Sequence, residues 1–250
     1  MALPRFFVSP ASWSEGPLML EGNEAHHCAS VMRRGVGDEL TVFDGAGRSA
    51  RTRITHASPK RVELEVLESA QADPPPVQIS LLQAIPKGGN MELIIEKAVE
   101  LGVQHIHPVM TAHTVVKLKD GEIEKKQAKW QRMALEACKQ CGQNWLPQVH
   151  APMAFESCWP SLPQHDLRLI AALQTDSLSL KSVIRNQPTA PASVLVAIGP
   201  EGDFSDAEYV LSRSQGCQPI TLGPIILRVE TAAMFCLSVL THELMLNRPH

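Results

Sequence analysis

The sequence lacks a long apolar run and a secretory signal. No stretch of the 250 residues approaches the roughly 18 consecutive apolar residues that a membrane-spanning helix needs. The first residues, MALPRFFVSPASW, have neither the basic region nor the continuous apolar region of a signal peptide. We therefore expect a cytoplasmic protein with no membrane partner.

A disulfide framework is also absent. The six cysteines are scattered along the chain and, without an export signal, are expected to stay reduced. Cys138 and Cys141 form a lone C-x-x-C motif on an apolar helical stripe, with no second pair and no H-x3-5-H motif nearby. His26 and His27 have no cysteine or carboxylate at ligand spacing. We expect packing roles for these four residues and no metal site.

The net charge is small and unevenly distributed. A formal charge of −3 excludes a protein that coats nucleic acid indiscriminately. A hydrophobic content of 44% indicates a folded chain with a sizeable core. Each of two basic clusters is either a solvated face or a nucleic-acid contact. They comprise Arg33, Arg34, Arg48, Arg51 and Arg53 near the amino terminus, and Lys117, Lys119, Lys125, Lys126, Lys129, Arg132 and Lys139 in the middle.

Three successive prolines at 74–76 mark the clearest boundary, because they fit neither a helix nor a central strand and favour a stiff linker. We therefore predict a small domain at residues 1–72 and a larger domain at residues 73–250. The small domain has alternating polar and apolar residues typical of strands. Its predicted elements are strands at 39–43 and 62–67, a turn at 44–47 and a helix near 23–32, which together indicate a β-rich, barrel-like domain.

The larger domain alternates short apolar strands with amphipathic helices, the pattern of a largely parallel α/β sheet. One helical stripe runs from Met91 to Leu101 and a second from Trp130 to Cys141. The final helix is predicted at about 231–246. The predicted strands are 77–83, 105–110, 168–173, 194–198 and 219–222.

Two glycine-containing loops follow predicted strands. The first lies within VLVAIGPEGDFSDAE, residues 194–208, where Ser205 and Glu208 have the spacing of a helix capping box. The second begins GPIILRVET, residues 223–231. Because the carboxyl ends of parallel strands meet at one edge of a sheet, both loops are expected at the edge where such sheets bind ligands.

The residues of the two loops restrict the class of ligand that the loops can bind. Neither loop matches the dinucleotide or P-loop fingerprint. Glu201 and Asp203 would repel a phosphate held at a helix N-terminus. A neutral or cationic ligand such as S-adenosylmethionine fits better, and the alternative that both loops are only tight turns that need glycine stays open.

Five segments carry a resemblance to a known family. They are HHCASVMRRGVGDELTVFDGAG, PKGGNMELIIEKAVELGV, KWQRMALEACKQCGQ, IGPEGDFSDAE and LGPIILRVETAA, and they occur in this order along the whole chain. Together they resemble the RsmE family of 16S ribosomal RNA uridine-N3 methyltransferases. The resemblance implies an N-terminal PUA-like β-barrel and a C-terminal SPOUT α/β domain whose chain end forms a trefoil knot. It also implies S-adenosylmethionine as cofactor and a homodimer that acts on 16S rRNA of the small ribosomal subunit, with no DNA partner.

The resemblance also implies roles for particular residues. RNA contacts fall on Arg5, Arg33, Arg34 and Lys87. Cofactor contacts, mostly through backbone groups, fall on Leu173, Ile198, Gly199, Pro200, Glu201, Gly202, Leu222, Gly223, Ile226, Leu227 and Arg228.

Methylation of uracil N3 needs a group that removes the N3 proton or stabilises the resulting anion. Glu230, directly after the second loop, is the first candidate base, and Glu201 is the second. Arg228 is the candidate for stabilising charge on a uracil oxygen. The alternative for Glu230 is a helix-start carboxylate favoured by the helix dipole.

The sequence departs from the usual family pattern at several positions. Family members often have glycine at Asp203, arginine at Ile225 and Gln143, threonine at Val229 and a basic residue at Asn90. Two rival interpretations follow: a non-catalytic RNA-binding or ribosome-assembly protein on the same fold, and a SPOUT methyltransferase with a different RNA target.

Overall fold

The computed structural model describes residues 3–13, 17–119 and 121–246. Its contacts divide the chain into two compact units. The first comprises Met1–Pro74 and Leu135–Leu146, and the second comprises Pro75–Ala134 and Pro147–His250.

The first unit contains a five-stranded, mostly antiparallel sheet. Its strands are β1 (Arg5–Phe7), β2 (Leu18–Glu21), β3 (Glu39–Phe43), β4 (Arg48–Ala57) and β5 (Arg61–Gln71), in the order β1-β3-β4-β5-β2. Only the pair of β1 and β3 is parallel. The pair of β1 with β2 that would close a barrel does not form among the described residues, so the predicted barrel is corrected to a half-barrel.

The core of the first unit follows from the alternation along its strands. In β4, Thr52 and Ile54 are buried, whereas Arg51 and Arg53 point to solvent. Helix α1 (Gly22–His26) continues as one π-helical segment (His27–Val31), close to the predicted helix. The ring of His27 packs edge-on against Phe6 at 5.8 Å between centroids, which confirms a packing role for this histidine.

The second unit is an eight-stranded sheet in which every pair is parallel. The order β11-β13-β10-β12-β6-β7-β8, with β9 also paired to β7, confirms the predicted α/β class. Its strands are β6 (Gln78–Ala84), β7 (His105–Met110), β8 (Gln148–Val149), β9 (Met153–Ala154), β10 (Leu167–Ala171), β11 (Leu178–Ser179), β12 (Ser193–Ile198) and β13 (Cys217–Thr221). The remaining α-helices among the described residues are α2 (Asn90–Glu100), α3 (Glu122–Cys141), α4 (Phe155–Cys158), α5 (Leu180–Arg185), α6 (Asp206–Ser214) and α7 (Val229–Thr241), and α7 continues as a π-helical segment (His242–Leu246).

All five strands predicted for this unit are present, with ends that differ from the predicted ones by at most two residues. The central strands β6 and β12 are buried almost throughout, which explains the continuous apolar run of β12, whereas β6 also buries the polar residues Ser80 and Gln83. The predicted strand at 168–173 ends at Ala171, and the strand at 219–222 ends at Thr221. Leu173 and Leu222 therefore lie in loops beyond the carboxyl ends of β10 and β13.

The final helix is a core helix. The segment Val229–Leu246 is long and apolar enough to cross a membrane by length and composition alone. In the structure, α7 packs against α2 and contacts β6 and β12, and it buries Ala233, Cys236, Leu237 and Leu240. These contacts place one face of the helix in the core, whereas Phe235 on another face is exposed.

The C-x-x-C motif has one buried and one exposed member. Burial raises the pKa of the Cys138 thiol to about 12, so this thiol stays protonated, as expected of a packed cysteine. Cys141 is exposed, and its predicted packing role was wrong, because α3 ends at this residue and the buried stripe stops before it.

Candidate functional site

Three loops meet at one edge of the second unit's sheet. β13, β10 and β12 are neighbouring parallel strands, so the segments that follow Ala171, Ile198 and Thr221 all leave from their carboxyl ends. This arrangement confirms the expectation that both glycine loops open at the same edge.

The loops enclose a cavity of about 480 Å³, within the size range of small-molecule sites. Residues from β10 and its loop, the two glycine loops, the start of α2 and the start of α7 line it. They are Asn90, Ala171, Ala172, Leu173, Ile198, Gly199, Pro200, Glu201, Asp203, Leu222, Gly223, Ile225, Ile226, Leu227, Arg228, Val229, Glu230 and Ala232.

The first glycine loop is held by hydrogen bonds at Asp203. This residue has a left-handed backbone, with φ of 60°. Its Oδ1 accepts hydrogen bonds from the Phe204 N–H at 2.9 Å and from the Tyr209 hydroxyl at 2.7 Å. Its N–H donates to the carbonyl of Pro200 at 3.0 Å. Asp203 therefore fixes the turn that lines the cavity.

The helix after this loop begins as the sequence predicts. The Ser205 side chain accepts a hydrogen bond from the Glu208 N–H, and the Glu208 carboxylate accepts one from the Ser205 N–H at 2.8 Å, which forms a capping box. Glu208 is buried and also accepts the Ala112 N–H at 2.8 Å. The Tyr209 hydroxyl has its pKa raised well above the usual value by burial and then by Asp203, so it stays a donor.

Asp203 should contribute to stability through its side chain and through its tolerance of positive φ. We expect Asp203→Ala to lower the free energy of unfolding by about 2–4 kcal/mol, because it removes a hydrogen bond to a carboxylate and puts alanine in a left-handed conformation. The free energy of unfolding of Asp203→Gly should be about 1 kcal/mol higher than that of Asp203→Ala, because glycine adopts this backbone conformation freely. Urea denaturation of both variants measures the difference, and equal losses would contradict a backbone contribution.

Glu201 is exposed at the same loop. Its Oε1 accepts a hydrogen bond from the backbone N–H of Lys87 at 2.9 Å, which ties the loop to the segment between β6 and α2. This hydrogen bond favours a role for Glu201 in fixing the position of the first glycine loop. Glu201 also lines the cavity.

The second glycine loop depends on Gly223. This residue has φ of 122°, a conformation that is strained for a residue with a Cβ. Its N–H donates to the Thr221 hydroxyl at 3.3 Å. The side chains of Ile225 and Ile226 that follow are 70% and 81% exposed, although both line the cavity. Large apolar side chains left open beside a cavity are typical of a binding site.

Charged groups gather where the second loop enters α7. Arg228 is exposed and occupies the N-cap position of α7, and Glu230 is half-buried in its first turn. The Glu230 Oε2 accepts a hydrogen bond from the Asn90 side chain at 3.3 Å. With Glu201 and Asp203, three carboxylates and one guanidinium line the cavity.

The structure brings most of the predicted pocket residues together. Among the eleven predicted cofactor contacts, all but Gly202 line the cavity. Gly202 lies in the same loop, where an added Cβ would come within 3.0 Å of the His113 Cβ. All three candidate catalytic residues, Glu230, Arg228 and Glu201, also line it. Their assigned roles stay predictions.

Sequence reasoning missed Asn90 as a pocket residue. The same-edge argument would have found it, because Asn90 lies beyond the carboxyl end of β6, the neighbour of β12. Ala171, Ala172 and Ala232 are also lining residues that carried no distinct signal.

The predicted RNA-binding residues have different environments. In the first unit, the Arg5 guanidinium is half-buried, donates to the Asn144 Oδ1 at 2.6 Å and lies 4.8 Å from the Phe43 ring centroid. These contacts favour a structural role for Arg5, and its RNA contact stays a prediction. In the second unit, Lys87 is exposed beside Gly88.

Arg33 and Arg34 differ from the other arginines of their cluster. Arg48, Arg51 and Arg53 pair with Asp44 or Glu39, which supports the interpretation of a solvated face for those three. Within residues 3–13, 17–119 and 121–246, neither Arg33 nor Arg34 forms an ion pair. Their guanidinium groups are therefore the ones in this cluster left for an external anion.

Comparison with known proteins defines the class. Residues 73–241 match the family model of the RNA methyltransferase domain, and residues 20–67 match that of the RNA methyltransferase PUA domain. The fold, the cavity and these two matches define a PUA-domain protein of the RNA methyltransferase class.

Individual relatives give the narrower family. Ribosomal RNA small subunit methyltransferase E of Bacillus subtilis is 30% identical over 98% of this chain and 99% of its own length. The protein of that name from Synechocystis is 32% identical over 94% of this chain and 76% of its own. The Neisseria gonorrhoeae structure of that name, bound to S-adenosyl methionine, has a TM-score of 0.85 and 28% identity over 96% of this chain and 98% of its own. The chain belongs to the ribosomal RNA small subunit methyltransferase E family.

Proposed function

We propose that this protein transfers a methyl group from S-adenosylmethionine to the N3 atom of one uridine in the 16S rRNA of the small ribosomal subunit. The observation that carries the proposal is the cavity at the carboxyl edge of the sheet, lined by both glycine loops together with Glu230 and Arg228. The family membership of the chain and the bound cofactor of its Neisseria relative support it.

The cavity suits S-adenosylmethionine in size and charge. The volume of about 480 Å³ is adequate for a ligand of this size. Apolar side chains such as Leu173, Ile198 and Leu227 offer a surface for the adenine ring, and the backbone groups of Gly199 and Gly223 offer hydrogen-bond partners. The surrounding carboxylates favour a cationic ligand over a phosphate.

Within this proposal each pocket residue has a distinct task. When bound, S-adenosylmethionine would supply a methyl group on a positively charged sulfur: an anionic nitrogen can attack the methyl carbon, and S-adenosylhomocysteine leaves as a neutral thioether. Glu230 accepts the proton of uracil N3, and Asn90 orients its carboxylate through the observed hydrogen bond. Arg228 stabilises the negative charge that the uracil ring gains on a carbonyl oxygen. Glu201 holds the first loop through the Lys87 N–H and is the alternative base.

The proposal extends to topology and assembly. α7 packs on α2, β6 and β12 after the second glycine loop, a path consistent with a SPOUT fold whose chain end forms a trefoil knot. The exposed side chains of Ile225 and Ile226 support a homodimer in which the partner subunit covers this part of the cavity. We also propose a cytoplasmic location, where the ribosomal substrate is made.

RNA affinity should depend on Arg33 and Arg34. The double variant Arg33→Ala/Arg34→Ala is expected to bind 16S rRNA more weakly, with the larger loss at low salt and the slope of log affinity against log salt reduced by about 0.7 for each lost phosphate contact. Affinity for S-adenosylmethionine should not change. Filter binding over a salt series measures the effect.

A matched control for this prediction is Arg51→Ala/Arg53→Ala, because these arginines pair with Glu39. It should retain most of the RNA affinity. Equal affinity of the Arg33→Ala/Arg34→Ala protein and the wild type would contradict the assignment.

Methyl transfer by purified protein tests the proposed function directly. The protein is incubated with methyl-labelled S-adenosylmethionine and either naked 16S rRNA or small ribosomal subunits, and the RNA is digested to nucleosides for mass spectrometry. We expect 3-methyluridine. Cofactor binding without transfer to either substrate would favour a non-catalytic RNA-binding protein, and a methyl group on another atom would favour a methyltransferase with a different target.

A further inference from the structure

Three histidines lie side by side, two in β7 and one directly after β8. His105 and His107 are two positions apart in β7, so their side chains share one face of the sheet. β8 pairs with β7 in register, Ile106 opposite Val149, and the His150 N–H donates to the Ile106 carbonyl at 2.9 Å. Continuing this register places His150 beside His107.

The three imidazole rings are in contact. The rings of His107 and His150 stack at 4.0 Å between centroids with 11° between their planes. The His105 Nδ1 lies 3.2 Å from the His150 Nε2. One ring nitrogen from each histidine lies within 4.8 Å of the other two.

These spacings are close to those of a shared metal ion. Zn²⁺ binds imidazole nitrogen at about 2.0–2.1 Å, which separates two ligand atoms of a tetrahedral site by about 3.4 Å. His105 and His150 already have this separation. His107 can complete the set by tilting its ring out of the stack, and the fourth position remains for water.

The polar environment of the cluster also favours a metal. His107 is 7% exposed, and its Nε2 is buried with no hydrogen-bond partner in the described part of the chain. A buried nitrogen without a partner is unfavourable, and a bound cation would offset this cost.

We propose that His105, His107 and His150 together bind one divalent transition-metal ion, with Zn²⁺ the best match to an all-imidazole set. The ion would link β7 to the segment after β8. None of the three histidines lines the cofactor cavity, so we assign the ion a role in stabilising the fold. The proposal departs from the sequence-based expectation of no metal site, which overlooked histidines that are 45 positions apart.

Metal titration of the full-length protein, without a polyhistidine tag, tests this proposal. Zn²⁺ binding is measured by calorimetry, and Co²⁺ is used as an absorbing substitute that reports tetrahedral nitrogen ligation. We expect one ion per chain. His107→Gln and His150→Gln should each weaken binding at least about tenfold. Zn²⁺ should raise the thermal unfolding midpoint of the wild type and leave that of the His150→Gln protein unchanged.

Two variants control for other metal-binding side chains. His56→Gln removes an exposed histidine of β4, and Cys141→Ser removes the exposed thiol; both should bind Zn²⁺ as the wild type does. If His107→Gln does not fold, the Zn²⁺ affinities of His105→Gln and His150→Gln test the proposal instead. Both of these side chains are half-exposed, so we expect their replacement to leave the fold intact. Equal Zn²⁺ affinity of the wild type and a folded His105→Gln/His150→Gln protein, or no binding by the wild type, would overturn the proposal.

Discussion

Replacing Glu230 by glutamine is expected to slow single-turnover methylation by about 10²–10⁴-fold, the usual contribution of a general base. Glutamine has the same shape and keeps an oxygen that can accept the Asn90 hydrogen bond, so the pocket should be preserved. Affinity for S-adenosylmethionine should therefore remain at the wild-type value. The measurement combines calorimetry with a rapid-quench assay at saturating cofactor and RNA.

Glu92→Gln is the matched control for this experiment. Glu92 is also an acidic residue in the first turn of a helix, α2, but it pairs with Lys129 and does not line the cavity. If Glu230 served only the helix dipole, its replacement would cost about 0.3–1 kcal/mol of stability and leave the rate unchanged, as expected for Glu92→Gln. A near wild-type rate for Glu230→Gln would remove Glu230 as the base, and the same assay on Glu201→Gln would then test the second candidate.

Gly223→Ala is expected to weaken S-adenosylmethionine binding by about 5- to 150-fold, since forcing a Cβ into this conformation costs about 1–3 kcal/mol. The φ of 122° at this position turns the chain at the rim of the cavity. Relaxation of this strain would move the residues that follow, including Ile226 and Leu227, away from their lining positions. Calorimetric titration with the cofactor measures the loss.

Gly35→Ala is the control for a glycine replacement without strain. Gly35 has no positive φ and no heavy atom within 4 Å of an added Cβ, and it does not line the cavity. Its cofactor affinity should match that of the wild type. An unchanged affinity in a folded Gly223→Ala protein would show that the second loop does not need this conformation to bind the cofactor.

Periodicity and capping signals were enough to predict the five longer strands of the larger unit, but not the short elements β8, β9, β11, α4 and α5. Buried strands such as β12 show as continuous apolar runs, and the Ser205 capping box shows directly in the sequence because its partners are three residues apart. Because the carboxyl ends of parallel strands lie at one edge of a sheet, the sequence also predicted that two glycine loops distant from each other in the chain line one pocket.

Features that no sequence pattern encodes escaped prediction. Asp203 was an oddity in the sequence, and only the position of Tyr209 in α6 and the positive φ explain it. Asn90 and Glu230, 140 positions apart, share a hydrogen bond that no local pattern encodes. The half-barrel likewise depends on whether two short edge strands meet, which alternation along each strand does not determine.

The most direct test of the account is the modification state of 16S rRNA in a bacterial strain that lacks its own enzyme of this family. The strain is complemented with this protein or with Glu230→Gln, and nucleoside mass spectrometry locates methylated uridines. We predict that the wild-type protein restores 3-methyluridine at one position of 16S rRNA and that the variant does not. Full expression of a protein that binds S-adenosylmethionine, with no 3-methyluridine restored, would contradict the account.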